Sequence, residues 1–367
     1  MRSQLILGVV IASTIAGVLT HAQAPTPFKL GTFEREGRTF VGIVLRESVV
    51  IDFPTAHAAI RTPASTVAPP TDMKDLINRY DTGLRARIVE IVRSVENAGA
   101  SRPPYVHEVR AVKILPPIMY PTTMLNVAVN YSEHDLEMAK LREQVPGMGA
   151  ATSGSALPNT RSAPGIWERA ADDTRWNPYV FMKSPAAIIA EGEAIRLPPG
   201  RTNVDWECEM SAVVSKPASR VPVSQAANFI FGYTLQNDVS DRGGRGDTRY
   251  GSDWVVSKNH DTFAPLGPFI TPREFVPDPQ KLAVTFSLNG QVLQQANTSF
   301  MIHNVFEQMA YATSIMTLRT GDLVTTGTPA GVGSARTPPI YFKAGDRSVC
   351  TYEGIGTLTN TVVGPTP

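Results

Sequence analysis

Charge of one sign is what this sequence most plainly lacks, with 34 Lys and Arg against 33 Asp and Glu. A nucleic-acid-binding chain normally carries a basic excess or a basic cluster. Neither is present, so nucleic acid is not expected as a partner. Beyond the first two dozen residues no stretch approaches the ~18 apolar residues that a membrane-spanning helix needs. A Gly-x-Ser-x-Gly nucleophile elbow and a His-Glu-x-x-His zinc helix are both missing, which sets aside the commonest serine-hydrolase and zinc-protease signatures. No internal repeat is visible either. Cysteine is scarce, at 2 residues. Cys208 and Cys350 could bridge in an oxidising compartment, and a small buried thiol at Cys208 would fit equally well.

Turn residues, by contrast, are plentiful: 30 Pro and 28 Gly favour many short strands over a helical bundle. At the start, Met1-Arg2, an apolar run from Leu5 to Leu19 and Ala22-Gln23-Ala24 have the parts of a secretory signal peptide over residues 1–24. The mature protein is therefore expected to be exported, periplasmic or secreted, with no membrane contact after cleavage. Residues 25–118 read as a small α+β N-terminal domain. It has a meander over Phe28–Phe33, Thr39–Val44 and Val49–Asp52, then a helical region over Asp72–Asn97 interrupted at Gly83. Pro116-Pro117 and Pro121 mark the boundary to a second domain over residues 119–365.

In that second domain, Ser132 with Asp135 resembles a helix start. On the helix, His134 and Glu137 are neighbours at i and i+3. A Glu beside a His fixes its tautomer and raises its basicity, as a water-activating base requires; an ordinary surface pair has the same spacing. Residues 145–178 are rich in small and polar types and read as a lid or insertion.

The stretch Asp205 to Val214 alternates apolar and polar residues, as a strand does. Trp206, Cys208, Met210, Ala212 and Val214 share one face. Glu207 and Glu209 share the other, with Cα atoms about 6.6 Å apart. Asp238, at the end of the strand-like run from Gly232, offers a third carboxylate. Three such groups form a hard oxygen site suited to Mg²⁺, with Mn²⁺ or Ca²⁺ possible, rather than zinc; a solvated acidic face is the bland alternative. After Asp238, Arg242 and Arg245 lie in a basic loop that either meets a substrate carboxylate or faces water. Near the end, Asn289-Gly290 predicts a hairpin, and Asn304 with Glu307 opens a helix to about Ile315. The loop Thr326 to Gly333 lacks the Lys-Ser/Thr ending of a phosphate cradle, though its backbone N–H groups could hold a carboxylate or oxyanion.

These segments together carry a resemblance: Asn130-Tyr131 with His134 and Glu137, Asp205-Trp206-Glu207-Cys208-Glu209, Asn237-Asp238, Lys258 with Asp261-Thr262-Phe263-Ala264-Pro265, Thr326-Gly327-Thr328-Pro329 and Glu353-Gly354-Ile355-Gly356. From about Leu125 to Val362 the chain resembles the fumarylacetoacetate hydrolase family, in particular its acylpyruvase and 2-hydroxymuconate isomerase or hydratase members. The resemblance implies a β-rich α+β fold with a mixed β-sandwich roll as catalytic domain, usually a homodimer. It implies Mg²⁺ on Glu207, Glu209 and Asp238, a His134–Glu137 dyad, Lys258 as a catalytic cation and Thr328 as a substrate contact; Tyr131, Arg242 and Arg245 are expected as further substrate contacts. The implied reaction is hydrolysis of a C–C bond in a small 2-oxo acid, such as an acylpyruvate or fumarylacetoacetate-like diketone, through a metal-stabilised enolate. Hydratase, isomerase or decarboxylase chemistry on muconate-like acids is the alternative on the same fold, and an exported small-acid binding protein without turnover is the alternative of another class. Arg245 departs from the usual pattern, since many relatives have Gln there.

Overall fold

The computed structural model describes residues 24–99, 102–144, 166–167, 170, 172–173, 175–243 and 253–365, the side chains of 64 and 141–144 apart. Its backbone follows the turn chemistry. Glu36 and Gly37 both take positive φ and join Lys29–Arg35 to Arg38–Leu45. Asn289 and Gly290, at φ 53° and 85°, close the hairpin Ala283–Leu288 with Gln291–Asn297, the backbone a type I′ turn needs. The N-terminal helical region splits at Gly83, φ 128°, between Met73–Arg79 and Arg85–Asn97. Asn304 caps Val305–Ile315 through a capping box with Glu307. One expectation shifts. Ser132 is the first helical residue of Ser132–Gln144 rather than its cap, because the Tyr131 carbonyl already accepts the Asp135 N–H.

The architecture is the expected β-rich α+β. Among the described residues one sheet has 12 strands. Its main path runs Val106–Glu108, Val49–Asp52, Arg38–Leu45, Lys29–Arg35, Ala264–Pro272, Ile230–Asn237, Cys208–Val214, Leu323–Thr325, Met124–Ala128, Tyr179–Met182. The N-terminal meander thus joins the later strands directly, at Leu30 opposite Ile270, and the sheet crosses the boundary expected near residue 118. A second, 5-stranded sheet contains Gln291–Asn297, Ala283–Leu288, Arg347–Tyr352 and Gly356–Val363. Between the sheets lies an apolar core in which Trp206 stacks on Phe286 with ring centroids 5.0 Å apart, and Met210, Val284 and Leu358 pack around them. Each fully buried aliphatic side chain of this kind stabilises the fold by roughly 1.5–3 kcal/mol.

The acidic stretch is not one continuous strand. It is divided at Trp206-Glu207 into Val204–Asp205, which pairs with Ser240–Asp241, and Cys208–Val214 in the large sheet. The cause is local: the Glu207 N–H goes to the Asn237 side chain at 3.1 Å, and Trp206 donates its ring N–H to the Gly331 carbonyl. Cys208 and Cys350, left open by the sequence, form a disulfide joining this strand to Arg347–Tyr352 of the second sheet.

Candidate metal centre and acid–base dyad

Glu207, Glu209 and Asp238 come together. Each offers a carboxylate oxygen, and these atoms lie within 4.8 Å of one another. Adjacent-strand pairing brings this about, because Cys208 stands opposite Asn237 and the Asp238 N–H donates to the Glu207 carbonyl at 2.8 Å. The apolar face falls where the alternation predicts, but the acidic face is not solvated: Glu209 and Asp238 are 1% and 0% exposed. Burying several carboxylates demands compensating cations. Lys258 Nζ supplies one, donating to Glu207 Oε2 at 2.9 Å and Asp238 Oδ2 at 2.8 Å. Its ammonium also lies 5.0 Å from the centre of the Phe181 ring, a cation–π contact.

Lys183 and Asp205, not singled out from sequence, complete the cluster. Lys183 Nζ donates to Asp238 Oδ1 at 2.6 Å and to the Lys258 carbonyl at 2.7 Å. Arg242 does not stand free for a substrate or face water. Its guanidinium is taken up by Asp205 at 2.7 Å and Glu207 at 2.5 Å. Arg245 lies outside the described residues, as do the leader and most of residues 145–178.

The charges divide unevenly. Burial alone would raise the Glu207 carboxyl, but Lys258, Arg242 and then His134 hold it well below the usual range. Burial raises the Glu209 carboxyl well above it, and the negative charges of Asp238 and Glu207 add to the effect. Burial likewise depresses the Lys183 ammonium, against the pull of Asp238. Among its described contacts Glu209 has one hydrogen bond, from the Gly327 N–H at 2.9 Å, and no cation of its own. An all-oxygen trio with one uncompensated buried carboxylate fits a hard divalent ion.

The dyad is also assembled. His134 Nδ1 is 2.9 Å from Glu137 Oε2, with His134 3% exposed. Glu137 is held in turn by the Gly331 N–H, at 2.9 and 3.1 Å to its two oxygens. The loop expected to offer backbone donors therefore does so, but to the protein's own carboxylates. Gly327 and Gly331 need positive φ, and a Cβ at Gly331 would meet the Leu293 carbonyl at 2.1 Å. Asn130 anchors the helix start by donating to the His303 and Thr326 carbonyls. The Tyr131 hydroxyl is buried 3.5 Å from that of Tyr352, and burial raises its pKa. Thr328 donates to the Cys208 carbonyl at 3.2 Å and accepts from Gln294 at 2.8 Å.

Residues 123–363 match the family described as Fumarylacetoacetate (FAA) hydrolase C-terminal. The chain belongs to the fumarylacetoacetate hydrolase family. This family member is 36% identical over 187 residues to "Oxaloacetate tautomerase Fahd2a, mitochondrial" of Rattus norvegicus, covering 51% of this chain and 59% of the relative. The chain thus spans little more than half the length of that relative. It is 29% identical over 293 residues to the Xenopus laevis oxaloacetate tautomerase fahd2, covering 78% and 82%. Among solved structures, a 5-carboxymethyl-2-hydroxymuconate delta-isomerase from Mycobacterium smegmatis aligns at TM-score 0.61 with 27% identity, covering 92% of this chain and all of the other. A maleylpyruvate hydrolase from Sphingobium sp. SYK-6, in complex with manganese (II) and pyruvate, shares the fold at TM-score 0.66 and 22% identity, covering 92% and 100%. The family's hydrolases, isomerases and tautomerases agree with the expected enzyme class, hydrolase or isomerase/lyase.

Proposed function

We propose that the chain is a divalent-metal-dependent enzyme that hydrolyses a C–C bond in small 2-oxo acids carrying a second carbonyl. The observation that carries this reading is the convergence of Glu207, Glu209 and Asp238, with carboxylate oxygens within 4.8 Å of one another, together with a buried His134 whose Nδ1 is 2.9 Å from Glu137. Mg²⁺ or Mn²⁺ on Glu207, Glu209 and Asp238 would grip the substrate carboxylate and 2-oxo oxygens and stabilise negative charge developing there. Glu137, fixed by Gly331, holds His134 at Nδ1 and leaves Nε2 as the basic nitrogen. His134 Nε2 takes a proton from water, whose oxygen bonds to the distal carbonyl carbon. The adjacent C–C bond breaks, its electron pair passes to the enolate of the 2-oxo fragment, and His134 returns the proton. Lys258 places positive charge beside that enolate, and Lys183 and Arg242 keep the surrounding acids in place.

A second reading, tautomerisation of an oxaloacetate-like acid, is favoured by the rat and frog relatives. There the same base moves a proton between carbon and oxygen and adds no water. A panel of acylpyruvates, muconates and enol-oxaloacetate, followed by ultraviolet absorbance with coupled detection of pyruvate, separates the two. Pyruvate release supports hydrolysis; loss of the enol band without fragments supports tautomerisation. Metal-dependent melting with no turnover on any of them would leave only a binding protein.

Export and homodimer formation belong to this proposal. The Cys208–Cys350 bridge supports export, since disulfides persist in oxidising compartments. Fractionation of cells and a sedimentation experiment test the two.

A further inference from the structure

Cys208 is the residue between the two proposed metal glutamates, and it is tied to the second sheet at its N–H, its carbonyl and its sulfur. Its N–H donates to Gln294 Oε1 at 3.3 Å. Its carbonyl accepts the Thr328 hydroxyl at 3.2 Å and the Tyr352 hydroxyl at 3.3 Å. Its sulfur is bonded to Cys350. Gln294 closes the arrangement by donating its amide to Thr328 Oγ1 at 2.8 Å and to the Pro329 carbonyl at 2.7 Å. Gln294, Tyr352 and Cys350 are each 1% exposed or less, and none of them belongs to the acid trio. Gln294 comes from the strand Gln291–Asn297, and the other two from Arg347–Tyr352.

We infer that Cys350, Gln294 and Tyr352 are positioning residues that set the spacing of Glu207 and Glu209, so that the disulfide tunes divalent-metal affinity in addition to stability. This rests on the reading of the acid trio as a metal site. The physical link is the backbone: Cys208 opens the strand Cys208–Val214, so pinning it fixes where Glu209 leaves the opposite face and, through the shared peptide bond, where the preceding Glu207 sits. Glu209 depends on that placement most, because its carboxylate has only the Gly327 N–H to orient it among the described contacts. Small divalent ions demand tight ligand geometry, and contacts behind the ligands commonly change metal affinity by roughly 10–100-fold when removed.

The test is calorimetric titration of Mn²⁺ and Mg²⁺ into the metal-stripped full chain, alongside a melting curve for each variant. The variants are Cys208→Ala with Cys350→Ala, Gln294→Leu and Tyr352→Phe. Ile88→Ala, in the N-terminal helix core, controls for lost stability alone. The disulfide-free and Gln294 variants are expected to bind Mn²⁺ about tenfold or more weakly, Tyr352→Phe less so, and the control as wild type. If the disulfide-free chain does not fold, Gln294→Leu with the bridge intact carries the test. Lowered melting temperatures with Mn²⁺ affinities within about twofold of wild type would overturn the inference alone. Wild type that takes up neither ion would overturn the metal reading and the inference with it.

Discussion

Removing the Cys208–Cys350 bridge should cost the metal-free protein a calculable part of its thermal stability. The bridge joins residues separated by 142 positions, so in the unfolded chain it closes a long loop. Chain-entropy arithmetic for a loop of that size gives about 17 cal/mol/K, or ~5 kcal/mol at 25 °C, and measured bridges deliver about 2–5 kcal/mol. A folding unit of roughly 340 residues has an unfolding entropy near 0.7 kcal/mol/K, so the melting temperature should fall by about 3–7 °C. Both sulfurs are buried, so Ala at the two positions leaves little room for new polar contacts. Scanning calorimetry of wild type and the double variant, at several scan rates and without metal, reads the difference. A shift under ~1 °C, or two free thiols titrated from the denatured wild type, would refute the reasoning.

Three further outcomes follow from the site and its surroundings. His134→Ala should lower turnover by roughly 10²–10⁴-fold while leaving Mn²⁺ affinity intact, and unchanged turnover would remove His134 from the role of base. Lys183→Met strips one of two ammonium partners from buried Asp238; it should lower stability by up to about 3–5 kcal/mol, partly restored by Mn²⁺, as melting curves with and without the ion would show. Burial lifts the Glu191 carboxyl to about 7. Its folded form therefore holds a proton that the unfolded chain gives up near the usual carboxylate range. Its stability contribution is complete below about 4.3 and lost as pH rises through about 7. Glu191→Gln should flatten that part of the stability–pH curve and raise stability at pH 8 relative to wild type; an unchanged curve would contradict the assignment.

The acids were legible because a strand's alternation separates Trp206, Cys208 and Met210 from Glu207 and Glu209 without knowledge of the fold. The hairpin at Asn289-Gly290 and the break at Gly83 were legible for a similar reason: positive φ is written into residue type. What stayed hidden depended on distant chain segments. Lys183 carries no local pattern, yet it shares Asp238 with Lys258 because an edge strand ends beside it. Arg242 looked like a free cation in a loop, and only the folding of Asp205 and Glu207 against it uses up its guanidinium. The Gly-rich loop announced available N–H groups but not their acceptors, Glu209 and Glu137. Two cysteines alone cannot say whether they pair; their Cα separation of 5.4 Å in the fold decides it.

The most direct test of the metal centre is a crystal of the metal-stripped protein soaked in Mn²⁺ and measured at a wavelength where manganese scatters anomalously. A single strong anomalous peak bonded by oxygens of Glu207, Glu209 and Asp238, absent from Glu209→Ala, is the predicted result. No peak there at saturating Mn²⁺, or a peak held by other residues, would contradict it.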